Sequence, residues 1–407
     1  MNRTARVLAL VALLGISQGC YLGRAAVEEA RILAGRRPIQ RLIDDPTLPD
    51  SVREKLRLVL AARRFTADSL GLDPGGSFTT FTDIGRDTLV LVLSAARRDS
   101  LAGYTWRYPV VGRLPYRGFF ELDDALKARR KLEAEGYDTY LRTSDAFSTL
   151  GWFEDPLLST TLRHDSLDLV NTVIHEITHS TYFPKGQAVF NESFASFVGA
   201  RGAERFFRSR GSLEAAARSD ASWRDQKVLS AFWASLSRSL DSAFAAHPES
   251  RERRLLTRDT VYAHARRALV DSVGPLLRTI GPWYAERVPL NNAYVLARVV
   301  YANELALFDE VYWAEDRDLR ATIATVLRLA RSSPEDPFGA IRVWLDAVGS
   351  RRSGLGARRA YPDRRRLSTR GGDEVGPSGG QPGHGGTVNH TAADGNQLGT
   401  HADDARR

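Results

Sequence analysis

The sequence predicts an α+β fold, with strands and a few helices first and an all-α remainder after them. Three observations carry this. Between residues 78 and 150, short β-branched and aromatic runs are bounded by Gly, Pro and Asp turn signals. From Asp168 to Tyr182, apolar residues recur at helical spacing around two histidines. From Ala200 to about Leu345 the apolar spacing stays helical, with polar residues on the opposite face.

Taken in order, the chain opens with Arg3 and Arg6, an apolar run from Val7 to Ile16, and Ser17-Gln18-Gly19-Cys20. A charged start, a short apolar run and small residues before a cleavage point make a secretory signal. The run is too short to span a bilayer as a helix, and no later stretch is long and apolar enough. Cys20 is the only cysteine, so no intrachain disulfide forms. Its place resembles a lipobox, in which the cysteine is lipidated and becomes the first mature residue. Ser17 stands where an aliphatic residue is usual. A lipid on Cys20 would make a membrane the partner through acyl chains alone, and two or more chains suffice for stable anchoring. Tyr21 in place of Asp resembles an outer-membrane sorting signal. The expected place is therefore the periplasmic side of a bacterial envelope, lipid-anchored.

Helices are expected over Ala25 to Leu33 and Ser51 to Leu70, followed by a turn from Gly71 to Gly76. Strands are expected at Phe78 to Thr82, Leu89 to Leu93 and Tyr104 to Val111. A charged amphipathic helix from Asp123 to Glu135 ends at Gly136, a residue suited to a helix C-terminus. Two more strands follow, Tyr137 to Leu141 and Ala146 to Leu150. In the helical part, Trp223, Phe232 and Trp233 read as core, and Asn291 to Phe308 reads as one helix containing Tyr294 and Tyr301. After Gly349 the chain is rich in Gly, Arg, Pro and polar residues and cannot bury a core. His384, His390 and His401 in that tail read as solvated. The expected division is a signal at 1–20, an α+β unit at 21–200, a helical unit at 201–349 and a disordered tail at 350–407.

The stretch with chemistry in it is His175-Glu176-Ile177-Thr178-His179. Residues four apart share a helix face, so His175 and His179 can grip one metal ion. Glu176 lies beside that face and can reach a water on the metal, which is the logic of the H-E-x-x-H zinc hydrolases. The pattern arises by chance in roughly one chain per hundred of this length. Glu192 supplies a third ligand, and two His plus one Glu is a catalytic zinc set that leaves one position open. The alternative of a third His six residues after His179 is absent, because Lys185 stands there.

Asn191-Glu192-Ser193-Phe194-Ala195 resembles the N-E-x-F-A segment that carries the glutamate ligand in gluzincin aminopeptidases. A wider likeness covers roughly residues 20 to 345. It runs through Arg36-Arg37-Pro38-Ile39, Pro109 to Gly112, Tyr116-Arg117-Gly118, Ala146 to Pro156, the motif helix, Lys185-Gly186 and Asn291-Asn292-Ala293. These segments resemble a bacterial lipoprotein family catalogued as aminopeptidases. The departures from gluzincins are the twelve residues between His179 and Glu192, and Ser196 where an acidic partner often stands.

The resemblance implies a zincin-like fold, with an N-terminal mixed sheet above the active-site helix and an all-α subdomain closing the cleft. It implies Zn2+ on His175, His179 and Glu192, Glu176 as general base, and a peptide substrate. An oxyanion-stabilising Tyr would come from the helical part, with Tyr301 and Tyr294 as the candidates. Glu154, Asp155 or Glu176 could receive a substrate α-amine. Two other readings stay open, an endopeptidase and a non-catalytic envelope scaffold that keeps the motif.

The net charge is +8, from 57 Lys and Arg against 49 Asp and Glu. The arginines are scattered and nearly balanced by acids, so no nucleic-acid partner is expected. No feature of the sequence sets an oligomeric state.

Overall fold

A computed structural model describes residues 27–108, 112–144, 156–301 and 304–354. The N-terminal elements are helix α1 (27–34), strand β1 (Arg37–Pro38), α2 (Ile39–Ile43), α3 (Asp50–Phe65) and β2 (Thr80–Thr82). Then come β3 (Val90–Arg97), β4 (Trp106–Tyr108), β5 (Gly112–Leu114), β6 (Tyr116–Phe119), α4 (Leu122–Ala134), β7 (Tyr137–Ser144) and β8 (Leu157–Leu158). The helical part comprises α5 (Ser159–Leu162), α6 (Ser166–Thr181), α7 (Ala188–Ser209), α8 (Leu213–Ala245), α9 (Arg251–Ala268) and α10 (Trp283–Arg287). It continues with α11 (Asn292–Tyr301), α12 (Leu305–Ala314), α13 (Leu319–Ser332) and α14 (Pro337–Gly354).

The fold is mixed α+β, mostly helical, with small sheets. The expected single mixed sheet is three separate pieces among the described residues. β6, β3 and β7 pair antiparallel with β3 in the centre. β1, β2 and β8 form a second sheet, β1 antiparallel and β8 parallel to β2. β4 and β5 make a hairpin. The centre of the first sheet follows from its alternation. Leu93 and Ala95 face α4 together with Phe119, Ala125 and Leu132, while Val90, Val92 and Ala96 point the other way. On that second face Ala96 meets the helices of the C-terminal half, while Val90 and Val92 meet Ile32 and Leu158.

The motif helix α6 is the spine of the main core. Leu169, Val170, Val173, Ile174 and Ile177 are fully buried, packed with side chains of α3, α7, α12 and α13. Each such side chain contributes about 1.5–3 kcal/mol when buried. A second core forms around Trp233, Tyr294, Leu240 and Leu269. Trp223 and Trp233 are both core residues, as their helical spacing predicts. α7 runs through residue 200, where the sequence suggests a boundary, and the main core draws on elements from both sides of it.

Two polar clusters hold these layers together. Asp309 accepts from Arg201 Nε at 3.0 Å, Trp223 Nε1 at 3.0 Å and Lys227 Nζ, which ties α12 to α7 and α8. Asn292 donates to Arg97 O at 2.8 Å, and its backbone N–H bonds Asp138 Oδ2 at 2.9 Å. Asn291 donates to Thr139 O at 3.1 Å and accepts from Tyr294 N at 2.9 Å, capping α11. The Asn291-Asn292-Ala293 segment is thus the joint that fixes α11 to β3 and β7.

Several expected bounds shift. The strand expected at Phe78 to Thr82 shortens to Thr80–Thr82, because Phe78 takes a left-handed conformation (φ 59°). The strand expected at Leu89 to Leu93 runs on to Arg97, held by its pairing with β7. The helix expected from Asn291 to Phe308 is two helices. Glu304 sits at φ 53°, ψ 33°, a left-handed residue that breaks the run before α12. Its carboxylate pairs with Arg342 of α14. Among the described residues no helix is long and apolar enough to cross a membrane. Cys20, the strand expected at Ala146 to Leu150, Glu154, Asp155 and most of the tail lie outside the described residues.

Candidate metal centre

α6 begins at Asp165, whose side chain accepts from Asp168 N at 2.9 Å and so satisfies one free N–H of the first turn. The helix keeps its apolar face inside and turns His175, Glu176 and His179 the other way, all three half-buried. It ends at Tyr182, and the connection to α7 turns at Gly186 (φ 81°), a conformation that favours glycine. Asn191, buried in the first turn of α7, donates to Pro184 O at 3.0 Å. Gln187 donates to Pro334 O at 2.9 Å. The link between the two helices is therefore tied from both sides.

α7 packs closely on α6 because two glycines face it. A Cβ on Gly199 would lie 3.1 Å from Asn171 O and 3.3 Å from His175 Cβ, and one on Gly202 would lie 3.0 Å from Ile174 Cγ2. This close approach brings Glu192 to the histidines. His175 Nε2 and His179 Nε2 lie 3.1 Å apart. Glu192 Oε2 is 3.5 Å from His175 Nε2, and Oε1 is 3.6 Å from His179 Nε2. Donors at zinc bond lengths around a tetrahedron stand about 3.3–3.4 Å from one another. The three residues form a His/His/carboxylate group whose spacings and chemistry fit that ion.

The electrostatics fit a shared charge. Burial pushes the Glu192 carboxyl up, but the adjoining His175 and His179 outweigh it and hold the group well below the usual carboxylate range. Burial pushes the His175 imidazole down, yet Glu192 and Glu176 prevail and raise it. Glu176 is thus close enough for its charge to act on His175. His179 Nδ1 is buried without a hydrogen-bond partner. Phe183 sets its ring 5.4 Å from that of His179, nearly perpendicular, and is itself 46% exposed.

All three expected ligands thus meet, with Glu176 alongside. Tyr294 is fully buried in the second core, edge-on to Tyr140 and Trp233. Tyr301 ends α11, and its side chain lies outside the described residues. In the sequence Asn191 has a place in a motif but no role of its own, and Gly199 and Phe183 are not singled out. Gly199 and Gly202 carried a usable signal, since glycine inside a helix costs about 1 kcal/mol against alanine and marks a close approach.

Residues 20–338 match the model of a protein family described as "Putative aminopeptidase". No curated protein and no solved structure matches the chain.

Proposed function

The chain belongs to the putative aminopeptidase family, and from that premise we propose a zinc-dependent peptide hydrolase of gluzincin type, an aminopeptidase of the cell envelope. The family supports peptide hydrolysis in general. The observation that carries the zinc reading is the convergence of His175, His179 and Glu192 at mutual donor distances of 3.1, 3.5 and 3.6 Å. These three residues would hold the ion and leave one position open. An ion held there would supply an acidified water and a polarised substrate carbonyl. Glu176 is the general base. It takes the proton of the attacking water and passes it to the leaving amine. Tyr301 is the residue assigned to donate its O–H to the oxygen on which charge develops. The main core under α6 keeps the His pair fixed, so little reorganisation accompanies the reaction.

The location is part of the same proposal. Cys20 carries the lipid, and the mature chain works on the periplasmic face of the outer membrane. Cys20→Ala is expected to release the protein or leave it unprocessed. Acyl labelling that persists in the variant would refute the anchor.

The deciding experiment uses the chain without its first twenty residues. Metal analysis is expected to find about one zinc per chain, lost when His175, His179 and Glu192 are replaced by Ala. Glu176→Gln keeps size and metal while removing the base, and should lower kcat about 10²–10⁴-fold. Near-normal kcat in Glu176→Gln, or full zinc in the triple variant, would overturn the mechanism. Preference for blocked internal peptides would favour an endopeptidase. A zinc-loaded wild type that cleaves nothing would favour a scaffold.

A further inference from the structure

Phe183 is a large apolar side chain left outside the hydrophobic cores, 46% exposed. Its placement follows from the end of α6. Tyr182 is extended (φ −157°, ψ 118°), so the side chains of residues 182 and 183 point to opposite sides. Tyr182 packs on the main core, with Arg331 over its ring at 5.5 Å. Phe183 is therefore turned outward, and its ring meets that of His179 at 5.4 Å and 82°. The turn that follows is held in place. Pro184 O accepts from Asn191 Nδ2 at 3.0 Å, and Gln187 Nε2 donates to Pro334 O at 2.9 Å and Glu335 O at 3.1 Å.

A lone exposed apolar residue is ordinary on a protein surface, and Leu276 and Val343 are more exposed than Phe183. What sets Phe183 apart is where its ring sits. A single imidazole lies between it and Nε2 of His179, the atom that approaches His175 and Glu192. A group bound at the three-residue centre thus has an apolar ring within a side chain's reach. The edge-to-face contact with His179 favours one orientation of that ring. Its exposed surface stays hydrated until an apolar partner covers it, and covering it is favourable in proportion to the area removed from water.

We infer that Phe183 is a specificity-determining residue, its ring an apolar wall for the substrate side chain next to the cleaved bond. The favoured peptides carry a leucine-sized or larger apolar side chain there, and glycine is disfavoured. This deepens the peptidase reading and rests on it for the identity of the ligand. The side chain can belong to either residue of the cleaved bond, and the probes separate the two. A ring face also attracts cations, so a lysyl probe tests the apolar assignment.

Binding is measured by calorimetry on the full-length, zinc-supplemented chain carrying Glu176→Gln, so hydrolysis does not intrude. The probes are leucyl-glycinamide, glycyl-leucinamide, lysyl-glycinamide and glycyl-glycinamide. One of the two leucine probes is expected to bind about 10-fold more tightly than glycyl-glycinamide, or better, the weight of about two buried methylenes. Adding Phe183→Ala should bring that ratio down to about 3 or less, and Phe183→Leu should keep most of it, because apolar surface returns. Zinc content should be unchanged in both, since Phe183 offers no ligand atom. A ring that merely packs on His179 would weaken all four probes alike and leave the ratio unmoved. Absence of a leucine preference before any change at Phe183 overturns the proposal. An unchanged ratio in Phe183→Ala does the same, as does a lysyl probe that gains as much from the ring as the leucine one. Should Phe183→Ala not fold or lose its zinc, Phe183→Gln, which keeps bulk without apolar surface, decides by the same ratio. If the ratio behaves as expected while the wild type hydrolyses no peptide, the peptidase reading fails and the apolar subsite stands. If the wild type hydrolyses peptides and shows no leucine preference, the subsite fails and the peptidase reading stands.

Discussion

Gly199→Ala tests whether the α6–α7 spacing makes the candidate site. The added Cβ would stand 2.3 Å from Asn171 Oδ1, 3.1 Å from Asn171 O and 3.3 Å from His175 Cβ. The amide tip of Asn171 can swing aside. The carbonyl oxygen belongs to the backbone of α6 and cannot, so the helices must separate by a few tenths of an ångström. Overpacking of this kind costs about 1–3 kcal/mol. Replacing a mid-helix glycine by alanine returns about 1 kcal/mol. The net loss is about 1 kcal/mol, or roughly 1–2 °C in Tm for a chain of this size. The larger effect falls on Glu192, which α7 carries away from His175 and His179. Outer-shell disturbance of a metal site typically weakens binding about 10- to 100-fold. Gly202→Ala is the control. Its Cβ would meet only side-chain atoms, Ile174 Cγ2 at 3.0 Å, Ile174 Cδ1 at 3.1 Å and Leu70 Cδ1 at 3.2 Å. It should lower Tm and leave zinc binding alone. Thermal melts and a chelator-competition titration on both variants decide the matter. Wild-type zinc affinity in Gly199→Ala, or an equal loss in both, would refute the reasoning.

Other outcomes follow from single residues. Asp309→Ala strands the buried Arg201 and removes the acceptor of Trp223 Nε1 and Lys227. A broken buried pair costs about 3–5 kcal/mol, and Asp220 beside Arg201 should hold the loss near the lower end in a urea titration. Burial pushes the Asp99 carboxyl up, but Arg254 and Arg97 outweigh it and hold it down at about 2. Its folded value lies below its unfolded one, so its contribution is complete above about pH 4 and fades as pH falls towards 2. Asp99→Asn should remove about 2 kcal/mol at neutral pH and flatten the acid limb of a stability profile, while an unaltered limb would count against the pairing. Glu304→Gly relieves the left-handed strain at φ 53°. It should stabilise by up to about 1 kcal/mol after loss of the exposed pair with Arg342, as read by Tm.

The parts of this protein legible in the one-dimensional chain are those whose physics is local. The apolar spacing of Leu169, Val170, Val173, Ile174 and Ile177 makes α6 a buried helix, and the four-residue step sets His175 and His179 side by side. Gly136, left-handed at φ 83°, sits where α4 ends for the same local reason. Glu192 was legible as a ligand type, but its distance to the histidines was not. That distance depends on two helices touching, which Gly199 and Gly202 permit only once α6 lies against them. Strand pairing is likewise non-local. Short runs such as Thr80–Thr82 and Leu157–Leu158 find each other across a long separation, so the one expected sheet is three among the described residues. Tyr294 and Arg298 show the limit most plainly. One turn apart on α11, they read alike as face residues of a helix. Tyr140 of β7 and Trp233 of α8 bury the tyrosine, while the arginine stays half-buried, because burial is set by neighbours the local sequence does not contain.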